Sequence, residues 1–170
     1  MSASVDSLVS RLSDVERRLA DHAAAPLPTA LSEPDPGAEE RWEAGQVWAH
    51  LAEFPRYWLS EAERVIAGLT PEPVAFGRVK TDTGRLEAIE RERHTDPAAL
   101  LDRVRGQLAE VTDAVRSWTP DAWARRGAHP VRGEMTVERI VTVFIADHLE
   151  EHAAQLDAMA GRVHPVRDRS

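Results

Sequence analysis

The stretch Thr136–Gly161, TVERIVTVFIADHLEEHAAQLDAMAG, reads as one long helix. Thr136 is a residue type that caps helix N-termini, Glu138 suits the positive first turn, and Gly161 suits the left-handed residue that ends many helices. Ile140, Val141, Phe144, Ile145, Leu156 and Met159 form its apolar stripe, and His148 and His152 fall inside that stripe. Residues four apart sit one turn above the other on the same face, so both imidazoles point into the core. A buried imidazole is comfortable only when neutral or ligated.

Working outward, the segment Trp48–Phe54, WAHLAEF, puts a third histidine in the same position. His50 is flanked at helical spacing by Val47, Leu51 and Phe54, so it too faces inward. The His148/His152 pair alone fits either hydrogen-bonded core residues or metal ligands. Adding His50 gives a three-nitrogen site from two helices, with open positions for water or substrate, which is the pattern of a catalytic metal centre. The five residues His148–His152 also fit the H-x-x-E-H pattern of inverted zinc proteases. Those proteins are much larger and take a further acidic ligand well downstream, where this sequence has ended. Glu150 and Glu151 therefore read as solvated charges, with Glu151 kept as a candidate for proton transfer or for a contact behind a ligand.

The remaining histidines carry less. His22 closes the first helical stripe and suits a C-terminal cap. His94 and His129 lie in loops beside Asp96 and Pro130, each a candidate fourth ligand or proton carrier. His164 lies in the tail and reads as inert.

Three further segments show helical periodicity. Val5, Leu8, Leu12, Val15 and Leu19 define a helix from about Val5 to His22, followed by a loop marked by Pro26, Pro28, Pro34 and Pro36. A second helix starts between Ala38 and Trp42 and reaches about Gly68, on Val47, Leu51, Phe54, Trp58, Val65 and Leu69, with a kink expected at Pro55. A third opens at Asp96-Pro97, a cap followed by the one helical position where proline is welcome, and carries Leu101, Val104, Leu108, Val111, Val115 and Trp118. Thr119-Pro120-Asp121 repeats that signal and predicts a short extra turn. No segment shows strand alternation between hairpin turns. The expected fold is all-α, a four-helix bundle with a long connection from Leu69 to Thr95 between the second and third helices. That connection contains Pro71, Pro73, Gly77 and Gly84, and Thr83–Arg93 could form a short amphipathic helix on Leu86 and Ile89. It reads equally as a lid or as a surface excursion.

Composition bounds the function. At 170 residues, 42% hydrophobic and 29% charged, the chain suits one globular domain, expected over residues 1–162 with a frayed tail at 163–170. It has no cysteine, which excludes disulfides, iron–sulfur clusters and a cysteine nucleophile. A net charge of -8 argues against nucleic acid as the main partner. The N-terminal MSASVDSLVSRLSDVERRLA is neither a signal peptide nor an anchor, and no run is long enough to span a bilayer, so no membrane is expected and the expected location is cytoplasmic.

Taken together, W-x5-W-A-H-L around His50 and G-x-x-T-x11-H-x-x-x-H (Gly133, Thr136, His148, His152) resemble the DinB/YfiT-like metal-binding four-helix bundles, over nearly the whole chain. The resemblance implies an up-down-down-up bundle in which a histidine triad, here His50, His148 and His152, binds a divalent metal, often zinc or nickel. It implies no polymerase activity, and it makes a homodimer a reasonable expectation. Related mycothiol-dependent maleylpyruvate isomerases have a glutamate where this chain has His148, which weakens that particular activity. Other relatives are thiol-dependent transferases or isomerases using mycothiol, bacillithiol or glutathione, and others resemble hydrolases.

The resulting expectation is a metal-dependent thiol S-transferase or isomerase acting on a small molecule. With no cysteine in the chain, the thiol must come from outside, and Arg78, Arg85 and Arg132 are candidates to hold its carboxylates. A metal-dependent hydrolase, with Glu151 or His129 moving protons, is the alternative. A non-catalytic metal- or ligand-binding bundle is the third.

Overall fold

The computed structural model describes residues 3–34 and 40–161. Pro36, Ala38 and the tail with His164 lie outside those residues. Helix α1 spans Ala3–Ala23 and buries the whole expected stripe from Val5 to Leu19. Helix α2, Ala44–Ile66, starts after Glu43, whose backbone N–H donates to the Gln46 side chain at 2.9 Å. It ends sooner than the apolar pattern suggests, and Leu69 is fully exposed. Helix α3, Thr83–Glu92, is the short helix expected inside the connection, although it buries Ile89 and leaves Leu86 exposed. Helix α4 covers Pro97–Ser117, with Asp96 accepting the Ala98 N–H at 2.9 Å. The short turn expected after it is α5, Pro120–Ala124, capped by Thr119.

Proline removes a backbone donor and displaces the preceding carbonyl, yet α2 runs through Pro55 as one helix. Gln107 of α4 takes over the opened pair. Its amide donates to the Ala52 carbonyl at 2.8 Å and its oxygen accepts the Arg56 N–H at 3.3 Å.

The last long helix has three parts without a break: α6, Val137–Val141, a π-helical turn, Thr142–Asp147, and α7, His148–Met159. Thr136 caps it by accepting the Arg139 N–H at 3.2 Å, and Gly161 beyond its end has φ +66°. The sequence reading expects an ordinary α-helix throughout, and the wide turn departs from it for a physical reason. Ile140, Phe144, His148, His152 and Leu156 recur every four residues, whereas an α-helix with 3.6 residues per turn carries such a row round by about 40° each step. A π-turn absorbs one extra residue and swings the later part of the row back toward the core.

These helices make the four-helix bundle. α2 packs against α4 and against the last helix, and α1 closes the other side against α4 and α7. The core is the union of their stripes, with Trp48, Phe54, Leu51, Ile140 and Leu149 almost fully buried.

The bundle also carries three short strands, in segments without readable alternation. A small sheet of order β1-β2-β3 is formed by Val74–Ala75, Arg126–His129 and Gly133–Thr136. β1 runs parallel to β2, with Val74 opposite Gly127, and β2 runs antiparallel to β3, with His129 opposite Gly133. Strands this short cannot display alternation, and Arg, Gly and Ala carry no strand preference. The readable signal was the loop, three residues followed by Gly133 at φ +73°. Among the described residues, no helix is long and apolar enough to cross a membrane.

Candidate metal centre

His50 reaches the site from the second turn of α2 and is 3% exposed, while His148 and His152 stand on the first two turns of α7 and are half-buried. The π-turn ends at Asp147, so His148 is the first side chain it aims. The Nε2 atoms of His50 and His148 are 3.0 Å apart, and those of His148 and His152 3.3 Å. One ligand nitrogen from each of the three lies within 4.8 Å of the others, so the structure brings together the three histidines singled out by the sequence.

The outer nitrogens follow a rule that the sequence reading missed. Each histidine has an acceptor residue three positions later on its own helix. His50 Nδ1 lies 3.5 Å from the Glu53 carboxylate, His148 Nδ1 lies 3.5 Å from Glu151, and His152 Nδ1 lies 2.8 Å from Gln155 Oε1. The spacing H-x-x-E or H-x-x-Q, three times over, was the available signal. A carboxylate only accepts, and an amide oxygen does the same, so these partners favour the tautomer with hydrogen on Nδ1. All three Nε2 lone pairs then converge on one point. In that tautomer no hydrogen lies between them, and a cation bound there relieves the crowding. Ligand nitrogens 2.0–2.1 Å from a tetrahedral zinc lie about 3.3 Å from each other, close to the 3.0 and 3.3 Å that separate His148 Nε2 from those of His50 and His152. The donor set therefore fits a divalent metal with a coordination position to spare.

The surroundings explain the electrostatics. Burial, then the neighbouring His152 and His148, then Arg85 and Arg78, push the His50 pKa well below its ordinary value, so His50 stays neutral and able to ligate. Contact with His148 holds the Glu151 carboxyl below the usual carboxylate range. Trp42 stacks over His152 at 6.2 Å and meets His50 edge-on at 5.5 Å, and Phe54 packs on His148 at 4.5 Å. Trp42 is held in place just before α2 by two hydrogen bonds with buried Ser32.

The other candidates separate. Arg85 lies over Trp42 at 5.3 Å and Arg132 over Phe144 at 5.3 Å. Arg78 instead pairs with Glu53 at 2.5 Å and lies over the Tyr57 ring at 3.9 Å. His129 is not brought to the triad. It is buried among Trp58, Phe76 and Phe144, and its Nδ1 accepts the Val131 and Arg132 N–H groups at 3.2 Å, which fastens the hairpin turn. His94 is exposed on the turn before α4 and joins no ligand cluster among the described residues. His22 is not a simple helix cap. It is buried, and its Nε2 lies 2.6 Å from Asp157, a carboxylate also held by Arg18.

The chain matches none of the curated proteins with which it was compared. Solved structures share its fold. YfiT from Bacillus subtilis, described as a probable metal-dependent hydrolase with an unusual four-helix bundle topology, is 21% identical with a TM-score of 0.66, over 96% of this chain and 91% of its own. A substituted form of the mycothiol-dependent maleylpyruvate isomerase is 14% identical with a TM-score of 0.67, over 100% of this chain and 68% of its own. The colibactin self-resistance protein ClbS, solved in complex with double-stranded DNA, is 14% identical with a TM-score of 0.62, over 94% of this chain and 97% of its own. At these identities the likeness speaks for the fold alone. A family model, that of the DinB superfamily, matches residues 6–156, and the chain belongs to that superfamily.

Proposed function

We propose that the protein holds a divalent ion, zinc or nickel, through His50, His148 and His152 and acts on a small molecule as a thiol S-transferase or isomerase. The observation that carries this reading is how charge is distributed around the three histidines. Their acidic and amide partners stand at the outer nitrogens, whereas Trp42 and Phe54 pack on the rings, Arg85 lies over Trp42 with its charge felt at His50, and the charge of Arg132 is felt at Glu151. A divalent ion, when bound, supplies the charge that ionises a thiol near neutral pH. Arg85 and Arg132 suit the carboxylates of a thiol such as bacillithiol or glutathione. Arg78 suits that task less, because Glu53 and Tyr57 already engage it.

A metal-dependent hydrolase is the second reading, favoured by Glu151, whose carboxylate stays ionised beside His148. Its position at the outer nitrogen suits holding the ring, and work as a base would require it to swing round. A substrate panel separates the readings. Conjugation of a low-molecular-weight thiol to an electrophile, dependent on zinc or nickel, supports the transferase. Ester or amide turnover without added thiol supports the hydrolase, and metal uptake with neither activity supports a binding protein.

A further inference from the structure

We infer that Glu53 and Arg78 together position His50 as a ligand, and that the connection between α2 and α4 serves to deliver Arg78 to that task. The inference rests on reading the histidine triad as a metal site. Glu53 is 16% exposed and is shared by two claimants: its carboxylate lies 3.5 Å from His50 Nδ1 and receives the Arg78 guanidinium on both oxygens, at 2.5 and 2.6 Å. His50 Nδ1 is buried and has no hydrogen bond of its own among the described residues, and the Glu53 carboxylate at 3.5 Å is the acceptor set against it. Arg78, 12% exposed, sets how closely that carboxylate approaches.

The connection is fastened just where it carries this arginine. Phe76 is buried and its N–H donates to the Ala128 carbonyl at 3.1 Å, which joins the connection to β2. Gly77 donates its N–H to Glu61 of α2 and adopts φ +85°, a conformation natural to glycine. A Cβ at this position would lie 2.9 Å from His129 Nε2 and run into its ring. The Arg78 guanidinium then rests on Tyr57. Anchors on α2 and β2 thus converge on two consecutive residues, and what they hold in place is the cation behind Glu53. A lid hinged to open would not be fastened here. Carboxylates behind metal-binding histidines orient the ring and raise its basicity, and their loss typically costs about 10- to 100-fold in metal affinity.

The test loads the full chain with Co2+ and reads both affinity, by chelator competition, and the visible ligand-field spectrum. Glu53→Ala and Arg78→Met should each lower cobalt affinity about 10- to 100-fold and change the spectrum, as one nitrogen loses its orientation. Arg78→Lys, which restores the charge beside Glu53, should keep the parent spectrum. A merely structural role would lower the melting temperature without moving the cobalt band. If Glu53→Ala does not fold, Arg78→Met carries the test alone. Parent affinity and spectrum in every folded variant would overturn the inference while leaving the metal site standing. A parent that takes up no cobalt would overturn both.

Discussion

His50 and His148, 98 residues apart in the chain, bring their Nε2 atoms to 3.0 Å across the bundle. Behind each ring stands a glutamate, so neither can turn a hydrogen into the gap without aiming a lone pair at a carboxylate. Held this way, the two helices share a need for positive charge between them, and a bound cation should add to stability. At free metal a thousandfold above its dissociation constant, binding to the folded state alone adds about 4 kcal/mol. Chelation should lower the melting temperature, and His50→Ala, His148→Ala or His152→Ala should each remove most of the metal-dependent gain. His94→Ala, at an exposed position outside the cluster, should keep it. Identical melting of the parent with zinc, nickel and chelator would refute the site.

At the other end of the last helix, Asp157 joins α7 to α1. Its side chain is 5% exposed and holds both His22 and Arg18. Asp157→Asn leaves that cluster without its anion, and breaking a buried pair in this way typically costs about 3–5 kcal/mol. Urea unfolding of the chelated protein measures the loss. A cost under about 1 kcal/mol, the range of exposed pairs, would show that the cluster contributes little.

His129 supplies a pH dependence separate from the triad. Burial, and then Arg132, lower its pKa, so the folded protein resists a proton that the unfolded chain accepts near pH 6.5. Its contribution to stability is complete above about pH 6.5 and is lost as pH falls toward the folded pKa, at no more than about 1.4 kcal/mol per pH unit. His129→Asn keeps an acceptor for the Val131 and Arg132 N–H groups and should flatten that acid limb. The comparison is made in chelator, where His50 contributes equally to both proteins. Equal slopes would count against the assignment.

Tyr57 is the chain's single tyrosine, so a phenolate absorbance titration reads it alone. Burial, then Glu61, push its pKa up to about 12, with Arg78 opposing. Arg78→Met should raise the midpoint further. A midpoint near the ordinary value of about 10 would count against the burial of the hydroxyl, and an unchanged midpoint in Arg78→Met would count against the guanidinium's place over the ring.

Much of this molecule was readable from apolar spacing. The stripes Val5–Leu19 and Leu101–Val115 became buried faces, and the caps at Asp96, Thr119 and Thr136 start their helices. The triad was readable for the same reason, since a histidine inside an apolar stripe must point inward. Other features depend on partners distant in sequence. Asp157 looks like a surface charge until α1 delivers Arg18 and His22 to it. Gln107 looks like a solvated residue until Pro55 opens a backbone pair beside it. Gln155 and Glu53 follow a local rule, three residues after a histidine, but the rule has meaning only once the ring's direction is known.

The wide turn at Thr142–Asp147 makes this helix tolerant of losing one residue. Deleting one residue there would let the segment relax to ordinary α geometry, and because the wide turn holds one residue more than an α-helix sweeping the same angle, everything beyond would keep its direction. His148 and His152 would still face His50, and Leu149 and Leu156 would keep their places in the core. Thr136 and His148 are thus tied by direction rather than by a residue count, and loss of one residue inside the wide turn, unlike loss inside a regular α-helix, would leave the ligands aimed at His50.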